Sequence, residues 1–129
     1  MLRSAFILAL LLLVASLRAQ DPLPVSFVRG DLNQDGSVDL SDPLKVLIFL
    51  FVEGVAPPCL AAGDADDDGE IEILDAVSLL AYLFREGSAP AAPFPDCGPD
   101  ATSDSLGCAA HAPCAEVDVA PKIREWTVP

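Results

Sequence analysis

Asp31-Leu32-Asn33-Gln34-Asp35-Gly36-Ser37-Val38-Asp39-Leu40-Ser41-Asp42 returns thirty-three residues later as Asp64-Ala65-Asp66-Asp67-Asp68-Gly69-Glu70-Ile71-Glu72-Ile73-Leu74-Asp75. The register holds beyond these windows, so that residues 31–57 align with 64–90 through Leu47/Leu80, Leu50/Leu83, Phe51/Phe84, Gly54/Gly87 and Pro57/Pro90. Two copies are too few for a solenoid and predict a closed unit with a pseudo-two-fold axis. Each copy reads as a polar loop followed by an apolar helix. Leu44, Leu47, Ile48 and Phe51 recur at helical spacing in the first, as do Val77, Leu80, Ala81 and Phe84 in the second. Gly54 and Gly87 are placed to end the helices in a left-handed residue, with Pro57 and Pro90 close behind. Pro43 fits the first turn of its helix, where a missing N–H costs nothing. No comparable helix precedes either loop, because Pro22, Pro24, Pro57 and Pro58 interrupt the approaches.

The chemistry of the loops lies in their oxygens. Positions 1, 3, 5, 9 and 12 of the first carry Asp31, Asn33, Asp35, Asp39 and Asp42; those of the second carry Asp64, Asp66, Asp68, Glu72 and Asp75. A hard cation such as calcium takes six to eight oxygens at roughly 2.4 Å, including a main-chain carbonyl at position 7 and a bidentate carboxylate at position 12. Ser37 and Glu70 stand at position 7 and would lend their carbonyls. Gly36 and Gly69 stand where such a loop turns sharply. Asp67 and the Glu70 side chain point away from the ion on this template. One D-x-[DN]-x-D-G stretch is often only a solvated turn. Two in register, each with an apolar residue at position 8 and a carboxylate at position 12, predict two calcium sites. The second loop holds seven acidic residues, which repel one another without a cation, so it is expected to bind at least as tightly as the first.

Composition sets the surroundings. Residues 1–19 read as a signal peptide, with Arg3 before an apolar run from Ala5 to Ala15 and a small residue, Ala19, at the cut. The apolar run is shorter than the roughly 20 residues of a spanning helix. Removing it would leave five basic residues against twenty acidic ones, which excludes nucleic acid as a partner. Four Cys in an exported chain predict two disulfides. Of the three pairings, Cys59–Cys97 with Cys108–Cys114 is favoured, because the first bridge ties the entrance of the second loop to the segment after its helix. The expected organisation is a signal peptide over 1–19, a linker over 20–28, a two-copy domain over 29–90 and an irregular Cys- and Pro-rich tail over 91–129. Val117 to Val128 adds a short strand or nothing.

The loops, of the form D-x-[DN]-x-D-G-x-[VI]-[DE]-x-x-D and each leading into a helix without an entry helix, resemble the type I dockerin repeat. Pro57-Pro58-Cys59 before the second loop and Cys97-Gly98-Pro99-Asp100 after the second helix look like dockerin-type repeats of bacterial secreted proteins outside cellulosomes. The resemblance spans Arg29 to Gly87. It implies a small, mainly α fold of two calcium loop-helix units about a pseudo-two-fold, one calcium in each, docking onto a cohesin-like extracellular partner in a setting of polysaccharide breakdown. The chain departs from cellulosomal dockerins at the recognition pair before the closing Asp, here Leu40-Ser41 and Ile73-Leu74, which leaves the choice of cohesin open.

No enzyme is expected. Glycoside hydrolysis needs two carboxylates across a sugar-sized cleft, and the clustered carboxylates are already assigned to metal shells. The only histidine, His111, reads as an incidental surface residue. The rival function is a calcium- and disulfide-stabilised structural domain without a specific partner. Both helices are apolar nearly all round; in the interaction reading a partner covers the spare face, and in the structural reading the tail does. Leu50 and Leu83 are expected on the flank away from the helix–helix contact.

Overall fold

The computed structural model describes residues 23–52 and 54–115. The expected signal peptide and the stretch Val117 to Val128 lie outside them. The described chain is small and mainly helical: α1 spans Ser41–Phe51 and α2 Ile73–Arg85, with short 3-10 turns at Leu60–Gly63 and Ala112–Cys114. Among the described residues there are no strands, only isolated bridges joining Phe27 to Gly98 and Cys59 to Cys108. No described helix is long and apolar enough to cross a membrane.

The two helices pack against each other, each entered directly from its acidic loop. Pro43 falls in the first turn of α1, as its missing N–H requires. The end of α2 differs from expectation. At the end of α2 the left-handed residue is Glu86 (φ 54°), and Gly87 does not have positive φ. Gly87 is required for closeness: its N–H returns to the Ala81 carbonyl at 3.0 Å, and a Cβ there would lie 2.8 Å from the Ala81 carbonyl carbon.

The buried stripe is also rotated from the predicted one. Val46 in α1 and Ala76 and Leu79 in α2 are buried, whereas Leu44, Ile48, Phe51, Val77 and Phe84 are exposed, the two phenylalanines by 68% and 66%. The physical reason is that a helix apolar all round carries no preferred face in its periodicity. Its rotation is fixed at the start, where Asp42 and Pro43 of α1 and Asp75 and Ala76 of α2 are themselves buried. Leu50, expected on an open flank, is half-buried against the core, and Leu83 is half-buried as well.

The core is Phe27, Leu32, Val46, Cys59, Ala61, Ala62 and Ala76, flanked by Leu47, Leu50, Ile71 and Leu106. Phe27, in the segment read as linker, is fully buried, and its backbone exchanges hydrogen bonds with Gly98 at 2.9 and 3.1 Å. The disulfides are Cys59–Cys108 and Cys97–Cys114, which corrects the expected pairing. Cys59 meets Cys108 because the tail doubles back beside the entrance of the second loop: Leu60 N–H donates to the Gly107 carbonyl and Ala109 N–H to that of Pro58. Cys97 is left for Cys114, whose own N–H bonds the carbonyl of His111.

Candidate metal centre

The chain builds the same loop backbone twice. Position 4 is left-handed in both, with φ of 62° at Gln34 and 63° at Asp67, and position 6 follows at 89° in Gly36 and 88° in Gly69. Glycine alone enters that second conformation cheaply. Around the turn the position 1 carboxylate gathers two amides. Asp31 accepts from the N–H of Asp35 at 3.1 Å and of Gly36 at 3.0 Å. Asp64 accepts from Asp68 at 3.1 Å and Gly69 at 2.9 Å.

Position 12 closes each loop from the first turn of its helix. Asp42 accepts from Asn33 N–H at 3.2 Å and Asp39 N–H at 2.9 Å. Asp75 accepts from Ala65 and Glu72, both at 2.8 Å. The remaining expected ligands are arranged less uniformly. Asp64, Asp66 and Asp68 bring one carboxylate oxygen each within 4.8 Å of the others, whereas loop one has the amide of Asn33 at the middle position of the corresponding set. In loop one, Asn33 and Asp35 are joined by a 2.8 Å hydrogen bond, and Asp39 turns to Ser41, accepting from its hydroxyl at 2.6 Å and its N–H at 2.8 Å. Ser37 and Glu70 are exposed and serve the expectation only through their carbonyls, while Glu72 caps α2.

Four carboxylates, at positions 1 and 12 of both loops, are fully buried. Burial raises the pKa of Asp31 and Asp64, against the hydrogen bonds and nearby positive groups that lower it. The same cause pushes Asp42 and Asp75 up to about 6. Asp39 moves the other way, lowered by the Ser41 hydroxyl and then its N–H. Raised folded-state values mean that the metal-free fold holds its protons more tightly than the unfolded chain. That stability is present at pH 4 and is lost as pH rises through about 6, worth about 3 kcal/mol for each shift of this size. A bound cation reverses the slope, since acid then displaces it. Melting followed by circular dichroism should therefore give opposite trends between pH 4 and 6: falling with pH in chelator, rising with pH in calcium. Parallel trends would remove the cation from the account.

Two residues that sequence reasoning missed hold the loops from outside. Arg29 is fully buried. It donates to the carbonyls of Ala92 (2.8 Å), Ala61 (3.1 Å) and Asp64 (2.8 Å), and pairs with Asp67 at 2.8 Å and Asp100 at 3.0 Å. Asp67 thus points to Arg29, and it forms a second carboxylate triad with Asp64 and Asp104. His111 corrects its expectation as a surface residue: it is 2% exposed, with Nε2 3.2 Å from the Asp31 carbonyl oxygen and 3.4 Å from its carboxylate. A lone basic residue two places before an acidic loop, in a chain with seven Lys and Arg, was the only signal for Arg29. For His111 there was none.

The tail segment 100–113 runs over both loops. Thr102 donates to Asp67 at 2.7 Å, and Asp104 lies over Gly69. Ala112 N–H donates to the Gln34 side-chain oxygen at 3.3 Å, and Pro113 lies over Gly36. The donor set of hard oxygens suits calcium or magnesium and not a soft metal, since both Cys pairs are consumed in disulfides. Comparisons with protein-family models, with curated proteins and with solved structures find no match to this chain.

Proposed function

We propose that this chain is a secreted calcium-binding module of dockerin-like type, with one ion in each loop, that docks through its helices onto an extracellular protein and catalyses nothing itself. One observation carries the reading. Asp42 and Asp75 are buried carboxylates with no cationic side chain in ion-pair contact among the described residues, and each closes a loop of oxygen donors. Buried charges are paired or bind metal, and a divalent ion at each loop supplies what the side chains do not. The loops' matching backbone angles support two sites of one kind. The disulfides suit an oxidising compartment, where the proposed signal peptide would deliver the chain.

The interaction reading is favoured over the purely structural one because the described tail lies on the loops and leaves the outer helix face exposed. That face repeats with the duplication, through Leu40 and Ile73, Leu44 and Val77, and Phe51 and Phe84. Contiguous exposed apolar residues mark protein contacts. Calorimetric titration of the chelated protein should show two calcium ions bound per chain, with magnesium weaker. In calcium, Leu44→Glu and Phe84→Glu should retain both ions and the melting temperature within a few degrees, yet abolish capture of the partner from the native extracellular fraction. Failure to bind calcium would reject the module, and loss of folding in these variants would assign the face to the core.

A further inference from the structure

Each position 1 aspartate is gripped by one side-chain nitrogen in the same way. Arg29 Nη1 donates to the Asp64 carbonyl at 2.8 Å and lies 3.9 Å from its carboxylate. His111 Nε2 stands 3.2 Å from the Asp31 carbonyl and 3.4 Å from its carboxylate. The duplication does not explain the likeness. The counterpart of Arg29 in the second copy is Ala62, and His111 lies outside both copies. Two unrelated parts of the chain therefore supply the same brace to equivalent atoms.

Among the described residues the His111 ring has no polar contact except with Asp31. Both partners of Nε2 are acceptors, so Nε2 carries the proton, and Nδ1 is buried without a partner among the described residues. A buried polar atom left unpaired is costly, and the contact with Asp31 offsets that cost. The position is secured locally: Cys114 N–H bonds the His111 carbonyl, and the Cys97–Cys114 bridge ties that turn to the segment after α2. Asp31 in turn holds the amides of Asp35 and Gly36, which shape the loop.

We infer that His111 is a positioning residue for loop one, fixing Asp31 for the cation as Arg29 fixes Asp64 in loop two. This rests on the calcium reading of the loops. Neighbours that orient metal ligands typically account for 10- to 100-fold in affinity. The prediction is selective: His111→Ala should weaken calcium binding at loop one by about tenfold or more and leave loop two within about twofold. His111→Gln, which keeps a side-chain N–H donor, should restore most of the loss.

The experiment is a calcium titration of isotopically labelled full chain, disulfides intact, with the Gly36 and Gly69 amides reporting the two loops separately. Amide exchange at Asp35 and Gly36, against Asp68 and Gly69, is measured in the chelated protein. Loop-one weakening in His111→Ala with rescue by His111→Gln, and faster exchange confined to Asp35 and Gly36, is the expected result. Equal weakening of both loops, or none, overturns the inference. If His111→Ala does not fold, His111→Leu, which fills the space without an N–H donor, takes its place: weakening confined to loop one upholds the brace, and wild-type affinity there, or a chain that folds only with His or Gln at 111 and binds alike in both loops, overturns it. If the wild-type chain binds no calcium, the proposed function falls, and the brace stands or falls on whether the exchange effect is confined to loop one.

Discussion

Chelating calcium from the intact, disulfide-bonded chain is expected to lower its melting temperature by tens of degrees and to remove much of its helical signal. The described core holds few large side chains, Phe27, Leu32, Val46 and Leu79 among them, so apolar burial alone offsets little of the conformational entropy of ordering. The four buried carboxylates add a cost that a cation removes. Were both loops micromolar calcium sites, millimolar calcium would contribute on the order of 8 kcal/mol by mass action. Asp31→Ala and Asp64→Ala should each abolish one site, and the double variant should leave a largely disordered helix pair whose melting no longer responds to calcium. Circular dichroism and calorimetry, with chelator and then with calcium, make the check. Identical helicity and melting in both conditions, without heat of binding, would show the loops to be ordinary turns.

Replacing Arg29 is expected to be the most damaging single change outside the loops. The guanidinium satisfies three carbonyls and faces Asp64, Asp67 and Asp100, with Phe27 beneath it at 5.3 Å. Arg29→Met keeps much of the volume but leaves those carboxylates uncompensated, at about 3–5 kcal/mol for breaking a buried pair. Arg29→Lys should recover little, since one ammonium cannot reach acceptors on four separate segments. In calcium both variants should melt at least about 12 °C below the parent, at roughly 4–8 °C per kcal/mol. A lysine variant that melts like wild type would reduce Arg29 to a charge of no particular shape.

What the sequence disclosed and what it hid divide along physical lines. The loop glycines, the closing aspartates, the helix starts and the duplication are local or periodic features, each announced by a residue type whose chemistry acts within a few positions. The rotation of α1 and α2 was not legible, because Leu44, Val46, Leu47, Ile48 and Leu50 are alike in hydrophobicity and differ only in what lies opposite. The disulfide pairing and both braces depend on the path of the tail. Arg29 reaches Asp100 across 71 residues and His111 reaches Asp31 across 80, and nothing in an irregular Pro- and Ala-rich stretch encodes such meetings. Gly87 shows a subtler miss: the residue type was read correctly as ending a helix, but close approach, not a left-handed backbone, demands it.

The tail's course over both loops bears on how this structure can be transplanted. The repeat boundaries invite a cut after Pro90, yet such a piece would lose Gly98 opposite Phe27, the Asp100 partner of Arg29, the His111 beside Asp31 and Cys108, to which Cys59 is bridged. The transferable cassette therefore runs from about Val25 to Cys114. A graft or fusion cut after Pro90 would carry both acidic loops and an Arg29 stripped of its Asp100 partner, and would leave behind the His111 that stands beside Asp31.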